Sequence, residues 1–241
     1  MELRGKVALV TGAGRRIGAA IAESLGGEGM SVAVHYRTSR EGAELTRARV
    51  EAAGGRAWCV EGDLAQRDSA SQLVDRVADR FGGLDVLINS AASMERTPFG
   101  TITVDDWDRI LAVNSRAPFF LAQAAAAHMR SGGAIVNIAD LAAFEIWPNY
   151  VLHGASKAAI VYLTEALARI LAPAVRVNAV APGVVLMPDA WDTSVADRLA
   201  RTTPLKHNGT PDDVVGAIRY LLEADYVTGE IMHVDGGRRI R

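Results

Sequence analysis

The amino-acid sequence predicts a single α/β domain with a doubly wound, parallel β-sheet flanked by helices. Short runs rich in Val and Ile alternate with longer amphipathic segments through most of the chain. Most of the short runs are apolar throughout, which is typical of parallel strands buried on both faces. The 241 residues, 49% of them hydrophobic, are enough for one large core. No linker, charge block or internal repeat divides the sequence, so we expect one domain over residues 1–241.

Seven strands and six helices follow from this pattern. The strands are predicted at 6–11, 31–36, 56–60, 84–89, 133–139, 175–181 and 231–235. Amphipathic periodicity predicts helices near 16–26, 40–53, 66–81, 103–129, 152–171 and 211–223. Pro211 and the two aspartates after it mark the start of the last helix, with Thr210 as its N-cap. Such a regular alternation of strand and helix is that of a Rossmann-type sheet.

Composition excludes several classes of function. The formal net charge of −2 argues against a dedicated nucleic-acid binder, which is usually basic. Cys59 is the only cysteine, so a disulfide framework is excluded and a buried structural thiol is expected. The histidines other than His153 show no metal-ligand spacing, so we expect no metal site. No apolar run approaches the roughly 20 residues that cross a bilayer, and the first glycines come too early for a signal peptide, so we expect a cytoplasmic protein.

Residues 183–209 interrupt the alternation of strands and helices. They follow the sixth predicted strand and are longer than a simple connection. Ligands of open α/β sheets bind beyond the carboxyl ends of the strands, so a long insert there is a candidate substrate lid. Met187 and Trp191 lie in it and are candidate substrate contacts. An ordinary helical excursion on the surface is the alternative.

A glycine-rich turn, "TGAGRRIG" at 11–18, follows the first predicted strand and opens the first predicted helix. Glycine permits a tight turn, and the free N–H groups and positive dipole end of the helix attract an anion. Arg15 and Arg16 add positive charge at this place. The second strand ends in "HYRTS", where an arginine suits a ribose 2′-phosphate and an acidic residue would suit a free 2′-hydroxyl. Arg15 and Arg37 therefore favour NADP over NAD, unless Arg37 is only solvated at the strand end.

The ordered short motifs of the chain resemble those of the short-chain dehydrogenase/reductase family. The likeness covers nearly the whole sequence and includes the segments "VALVTGAGRRIG", "GDL" (62–64), "LINSAA" (87–92), "VNSRAPF" (113–119), "IVNIAD" (135–140), "SKAAI" (156–160), "RVNAVAPG" (176–183) and "YVTGEIMHVDGG" (226–237). Within the family it is most similar to the pteridine and dihydromonapterin reductases. Arg16 stands where most relatives have a third glycine, and "HYRTS" and the ending "DGGRRIR" agree with that subfamily.

This resemblance implies roles for particular residues. Lys157 would bind the nicotinamide ribose, and Asn114 would lie at a helix irregularity and serve the lysine through water. Arg16 would contact the substrate or the cofactor phosphates. The NADP(H) site as a whole would comprise Gly12, Arg15, Arg16, Ile17, Gly18, Tyr36, Arg37, Asp63, Leu64, Asn89, Ser90, Ala91, Lys157, Pro182, Gly183 and Val184.

Three positions depart from the common family pattern. His153 stands four residues before Lys157, where the family has its catalytic tyrosine. Asp140 replaces the usual serine, and pteridine reductases resemble this chain in that respect. Met94 stands where the same subfamily stacks an aromatic ring on the pterin. A methionine can lie on a ring, but with less specific geometry.

His153 determines whether the predicted site is active. Positions 153 and 157 lie one turn apart on a helix face, so the imidazole would lie beside the ammonium group. Free histidine, with a pKa of about 6.5, is a usable acid at neutral pH. Lys157 would favour the neutral imidazole, whereas Asp140 would favour the imidazolium and keep a proton available. Tyr150, one turn before His153, is a second candidate donor.

These residues lead to one hypothesis and two alternatives. The sequence predicts an NADPH-dependent reductase of a small substrate, a dihydropterin above all, with Asp140, His153 and Lys157 handling protons. A catalytically impaired NADP-binding protein is the first alternative, and a ketone or ketoacyl reductase is the second. The family resemblance implies a homotetramer, formed through the helices near 103–129 and 152–171.

Overall fold

A computed structural model describes residues 1–129, 132–186 and 193–240. Seven parallel strands form one sheet in the order β3-β2-β1-β4-β5-β6-β7. The strand order reverses between β1 and β4, which is where open α/β sheets leave a ligand-binding crevice. The predicted doubly wound fold is confirmed. The strands are β1 (Val7–Val10), β2 (Ser31–Tyr36), β3 (Arg56–Glu61), β4 (Val86–Asn89), β5 (Gly133–Ile138), β6 (Val175–Pro182) and β7 (Ile231–Val234).

The helices pack on both faces of the sheet and agree with the sequence pattern except at two places. The segment predicted as one helix over 103–129 is divided by a π-helical turn, Ala112–Arg116. The insert after β6 contains a helix that the pattern did not predict. Thr210 caps the last helix as predicted, in a capping box with Asp213. The helices are α1 (Arg16–Gly27), α2 (Arg40–Ala52), α3 (Ser69–Phe81), α4 (Val104–Leu111), α5 (Ala117–His128), α6 (Val151–Leu171), α7 (Thr193–Thr202) and α8 (Pro211–Glu223).

Two apolar layers bury the two faces of the sheet, and neighbouring strand residues alternate between them. Val10 and Ile88 belong to the layer under α1, α2 and α8, whereas Leu9 and Leu87 belong to the layer under α3, α5 and α6. All four side chains are fully buried. This two-sided burial is why the strands are continuous apolar runs in the sequence.

Cys59 departs from its prediction, because it is half-buried on the edge strand β3 rather than buried. Partial burial raises the pKa of its thiol to about 11, which makes the thiolate scarce at neutral pH. Within the described ranges, no group of three or more His, Cys, Asp or Glu side chains could hold a metal ion. Of the helices described, none is long and apolar enough to cross a membrane.

Gly26 allows α1 to approach α2 closely. A Cβ atom at Gly26 would lie 2.7 Å from Cγ1 and 3.0 Å from Cα of Val50, which is closer than packed atoms approach. Gly216, in the middle of α8, has no atom within 4 Å of the same position. Gly26 and Gly216 both lie in helices but differ in the space around them, so their alanine variants can be compared directly.

We expect Gly26→Ala to lower the free energy of unfolding by about 1–3 kcal/mol, because the added methyl overpacks the α1–α2 contact. Gly216→Ala should raise it by about 0.5–1 kcal/mol, because alanine loses less backbone entropy in a helix. Denaturant unfolding of the two variants beside the native protein measures both shifts. Shifts of the same sign would contradict this account of the helix packing.

Candidate active site

The turn between β1 and α1 is built on two glycines. Gly12 has a φ of +66°, and a Cβ there would lie 2.9 Å from Cα of Ala91. A Cβ at Gly18 would lie 2.4 Å from the carbonyl oxygen of Gly12. Side chains are thus excluded at both positions, so the turn packs closely on Ala91 and on itself at the N-terminus of α1, beside Ile17. The free N–H groups of such a helix start attract a phosphate group.

Arg16 takes the left-handed conformation, with a φ of +56°, a region of backbone space that glycine adopts more easily. This conformation costs a non-glycine residue roughly 1–2 kcal/mol. Its guanidinium donates a hydrogen bond from Nη2 to the carbonyl of Leu186, 2.9 Å away. Arg16 therefore joins the phosphate turn to the start of the insert after β6. Met187 and Trp191, predicted as substrate contacts, lie outside the described residues.

The predicted adenosine side consists of the ends of β2 and β3. Arg37 is exposed just after β2, and Arg15 is exposed in the turn before α1, as a phosphate site requires. The Tyr36 side chain is buried instead, and its hydroxyl lies 3.4 Å from Oε2 of Glu61. Burial raises the pKa of Tyr36. Asp63 accepts a hydrogen bond from the N–H of Ala65 at 3.0 Å, and the next residue, Leu64, is buried.

The segment after β4 lies against the phosphate turn. The N–H groups of Ser90 and Ala91 donate to Oγ1 of Thr11 at 2.9 and 3.0 Å. Asn89, predicted to lie along a cofactor ribose, is the last residue of β4. Its side chain is buried and donates to Oδ1 of Asn137 in β5 at 2.8 Å, so it cross-links two strands. Thr11 was missed in the sequence because a threonine at a strand end has no distinctive signal.

The segment after β6, Pro182 to Val184, is held from two sides. The N–H of Gly183 donates to the carbonyl of Val234 at 2.8 Å, and a Cβ at Gly183 would lie 2.8 Å from Cα of Asp235. The carbonyl of Val184 accepts a hydrogen bond from the N–H of Gly209 at 2.9 Å. The two ends of the insert are therefore bonded to each other, which is the geometry of a closed loop.

Lys157 lies on α6, one turn after His153, and both side chains are buried, with 5% and 2% exposure. Nζ of Lys157 donates to the carbonyl of Ile138, at the end of β5, at 2.6 Å. Burial lowers the pKa of Lys157 to about 8, and the carboxylate of Asp140 opposes this shift in part. The ammonium group is thus within reach of deprotonation near physiological pH.

The imidazole of His153 lies between a carbonyl and a carboxylate. Nδ1 is 3.3 Å from the carbonyl oxygen of Ser93, and since a carbonyl only accepts, Nδ1 carries the hydrogen. Nε2 is 3.4 Å from Oδ2 of Asp140, longer than a charge-assisted hydrogen bond. Among the described residues this buried Nε2 atom has no hydrogen-bond partner. The carboxylate of Asp140 and the imidazole of His153 are close enough to attract each other when the imidazole is protonated. In this geometry, however, Nε2 and Oδ2 do not form a hydrogen bond.

Asn114, in the π-helical turn, holds the segment that contacts His153. Its Oδ1 accepts from the N–H of Ser93 at 2.7 Å, and its Nδ2 donates to the carbonyl of the same residue at 2.8 Å. Nδ2 also lies 3.0 Å from Oγ of Ser156, which donates to the carbonyl of His153 at 2.7 Å. Asn114 and His153 therefore share the carbonyl of Ser93 as an acceptor. Ser93 acts through its backbone, so its side-chain type gave no signal in the sequence.

Met94 and Tyr150 border this cluster. Met94 follows Ser93 directly and is 43% exposed, so it is available to a ligand. Tyr150 precedes α6, and its ring lies 6.3 Å from that of Trp147. The backbone N–H of Tyr150 donates to the carbonyl of Trp147 at 2.9 Å. These contacts hold the ring of Tyr150 against Trp147 at the start of α6.

A doubly wound sheet with a glycine phosphate turn, and a buried lysine near the carboxyl end of β5, defines a dinucleotide-binding oxidoreductase. The family model described as enoyl-(acyl carrier protein) reductase matches residues 12–239. The chain belongs to the short-chain dehydrogenase/reductase family of NAD(P)-dependent oxidoreductases.

Several relatives align over nearly their full length. An uncharacterised oxidoreductase of Methylorubrum extorquens is 37% identical over 99% of both chains. A 3-oxoacyl-[acyl-carrier-protein] reductase of Synechocystis is 35% identical, over 98% of this chain and 97% of the relative. Among solved structures, the angucycline C-6 ketoreductase LanV with bound NADP is 33% identical, covers 100% of this chain and 98% of its own, and has a TM-score of 0.93.

Replacing Lys157 should change how stability depends on pH. Burial lowers the pKa of Lys157 from 10.5 to about 8, so the unfolded chain binds more protons than the native state between these values. The free energy of unfolding of the native protein should therefore rise with pH across this window, by up to roughly 3 kcal/mol. In Lys157→Met this contribution is absent. Denaturant unfolding of both proteins between pH 7.5 and 10 measures the difference, and parallel curves would contradict the lowered pKa.

Proposed function

We propose that this protein is an NADPH-dependent reductase of carbonyl compounds, in which Asp140, His153 and Lys157 handle the proton. The observation that carries the proposal is the buried Nε2 atom of His153, which among the described residues has no hydrogen-bond partner. In the imidazolium form, Nε2–H would donate this missing hydrogen bond, and then its proton, to a substrate oxygen placed there. The 3-oxoacyl and angucycline reductases similar to this chain support a carbonyl substrate by their names.

The residues of the phosphate turn fit a nicotinamide dinucleotide. Gly12 and Gly18 let the turn pack closely on Ala91 and on itself at the start of α1, and the free N–H groups of α1 would hold the pyrophosphate. Arg15 and Arg37 are exposed beside it, and residues 36–39 contain no acidic side chain. This charge distribution favours the 2′-phosphate of NADPH over the free hydroxyl of NADH. When bound, NADPH supplies the hydride that reduces the substrate carbon.

His153 would donate the proton that the reduced substrate oxygen requires. Its Nδ1–H is held by the carbonyl of Ser93, so the ring orientation is fixed and Nε2 faces the space beside Asp140. The carboxylate stabilises the imidazolium before transfer. Because the side chain of Asp140 is 25% exposed, it can pass a replacement proton from solvent to His153. Lys157 would hold the nicotinamide ribose through its ammonium group.

A pterin substrate is a second candidate, favoured by Asp140. Its Oδ1 accepts a hydrogen bond from the N–H of Ala142 at 2.8 Å, while Oδ2 lies near His153. A carboxylate fixed in this way can also accept from the ring N–H and amino groups of a pterin. Arg16 lies near enough to the insert, through Leu186, to contact such a substrate. A catalytically impaired NADP-binding protein remains the alternative if no substrate turns over.

The central test of the mechanism is His153→Gln, which keeps a polar group near the Nε2 position but cannot donate an acidic proton. We expect turnover to fall roughly a hundredfold or more, the usual contribution of general acid catalysis. The measurement is NADPH oxidation with a panel of cyclic ketones, a 3-oxoacyl thioester and a dihydropterin. His128→Gln is the matched control, because His128 forms a surface pair with Asp75 at 2.8 Å, away from the site.

The panel also separates the alternatives. Turnover of ketones but not of the dihydropterin supports the carbonyl assignment, and the reverse supports the pterin. If the His153→Gln variant keeps the native turnover, His153 is excluded as the proton donor. If the native protein is inert and the His153→Tyr variant is active, the histidine has replaced a catalytic tyrosine and the native protein has lost its reductase activity.

Arg37→Ala tests the preference for NADPH. We expect the KM for NADPH to rise roughly ten- to hundredfold, because a charge-assisted contact to the 2′-phosphate is lost. The KM for NADH should stay within about twofold, since NADH has no group for this contact. Arg49→Ala removes another exposed arginine, on α2, and is the control. Equal effects on both cofactors would place Arg37 outside the 2′-phosphate site.

The predicted homotetramer is supported by apolar side chains on the outer faces of α5 and α6. Phe120, Tyr162 and Ile170 are 43%, 71% and 70% exposed in the single chain. Single surface apolar residues are common, but these lie on the two helices that the family resemblance assigns to the interface. Sedimentation analysis measures the assembly, and a monomer at micromolar concentration would contradict it.

A further inference from the structure

His35 is a buried titratable residue without a role in the proposed mechanism. It lies on β2, with 2% exposure, and its ring contacts two turns at once. Nδ1 accepts a hydrogen bond from the N–H of Gly12 in the phosphate turn at 3.1 Å. Nε2 lies 3.0 Å from the carbonyl oxygen of Gly62, which precedes the adenosine-side residue Asp63. The backbone carbonyl of His35 also accepts from the N–H of Ala13 at 2.8 Å.

These partners fix the protonation of the ring. A backbone N–H only donates, so Nδ1 facing Gly12 carries no hydrogen. A carbonyl only accepts, so Nε2 facing Gly62 carries one. His35 is therefore a neutral imidazole of a single tautomer. A second proton on Nδ1 would make this atom a donor facing the N–H of Gly12, which is also a donor, and the hydrogen bond would be lost. Burial lowers its pKa to about 4, with Arg76 adding to this effect and Asp63 and the bond to Gly62 opposing it.

The surroundings leave little freedom for the ring. A Cβ at Gly62 would lie 3.4 Å from Nε2, so the glycine backbone packs directly on the imidazole. At the other side, Gly12 has its φ of +66°, a conformation in which its peptide planes can rotate more freely than those of other residues. The hydrogen bond from its N–H to Nδ1 removes that freedom and holds this N–H toward the sheet.

We propose that His35 is a positioning residue of the cofactor site, whose ring fixes the phosphate turn at Gly12 relative to the adenosine-side turn at 62–64. The inference rests on the dinucleotide site of the proposed function. The ring would act before chemistry, because it touches neither the substrate nor the reacting atoms. Its loss should therefore weaken NADPH binding and leave hydride transfer in the saturated enzyme unchanged.

Three substitutions separate the two hydrogen bonds. In His35→Asn, the amide oxygen replaces Nδ1 and can still accept from Gly12. In His35→Gln, the amide nitrogen replaces Nε2 and can still donate to Gly62. His35→Leu keeps apolar volume and removes both bonds, which leaves the half-buried N–H of Gly12 without this partner.

The test is the dissociation constant of NADPH by titration calorimetry, with KM and kcat measured beside it. We expect His35→Leu to weaken binding roughly ten- to hundredfold, because the half-buried N–H of Gly12 loses its acceptor and the phosphate turn is no longer held. His35→Asn should recover most of this loss and His35→Gln less of it, since the bond to Gly12 controls the phosphate turn. The KM for NADPH should follow the dissociation constant while kcat stays within about twofold of native, because bonds made equally in ground and transition states affect only binding.

Asn178→Leu is the matched control for general loss of stability. Asn178 is also a buried strand residue that bonds two backbone groups: it accepts from the N–H of Glu230 and donates to the carbonyl of Val227, both at 3.0 Å. The Asn178→Leu variant should have a lower free energy of unfolding than the native protein and the same affinity for NADPH. Equal weakening by Asn178→Leu and His35→Leu, or native affinity in a folded His35→Leu protein, would overturn the proposal.

The same measurements separate this proposal from the proposed function. If the native protein binds NADPH and the His35 variants lose affinity in the expected order, the positioning role stands even when no substrate turns over. Failure of the native protein to bind NADPH would overturn both. Native affinity in all three variants, together with turnover, would overturn only the role of His35.

Discussion

The parallel pairing of β1, β4, β5 and β6 is the constraint on which the candidate site depends. Parallel strands end at one edge of the sheet, so four separate segments of the chain must meet there. Gly12, Ser90, Asp140 and Gly183 follow these four strands within a few residues. The strand order reverses between β1 and β4, which opens the crevice beside the phosphate turn. A small register change in any of these strands would displace one group of the site from the others.

The polar groups of this site are buried in a way that favours function over stability. Lys157 is kept in the core by one carbonyl and a nearby carboxylate, and its lowered pKa measures the cost of removing the ammonium from water. His153 has one hydrogen bond where two are available to it in the imidazolium form. Asn114, in contrast, is fully satisfied by Ser93 and Ser156. Among the described residues, the hydrogen bonds around the imidazole of His153 are therefore made except at Nε2, the atom that faces Asp140.

Much of the fold could be predicted because strand burial and turn chemistry leave direct traces in the sequence. The apolar run of β5 and the Thr210–Pro211 helix start are examples, and both lie where the pattern put them. The π-helical turn has no such trace in composition, because one extra residue in a helix does not alter it, and the irregularity at Asn114 was implied only by the family resemblance. α7 was expected only as the alternative to a lid, because its segment shares the polar, proline-bounded composition of a surface loop. The side chain of Asn89 and the carbonyl of Ser93 show a further limit, since orientation and backbone contacts are set by tertiary packing.

Arg16 shows how the cofactor turn and the insert after β6 are connected. A left-handed residue other than glycine persists only where its surroundings compensate for the strain. Here the guanidinium gains the carbonyl of Leu186, a contact that glycine could not make. The same arginine that replaces glycine thereby links the α1 side of the crevice to the segment that begins at Gly183. Gly209 in turn donates to the carbonyl of Val184 and closes the other described end of the insert onto the same segment. The phosphate turn and the two described ends of the insert are in this way joined by hydrogen bonds, so a change of conformation at Arg16 would act directly on the segment after β6.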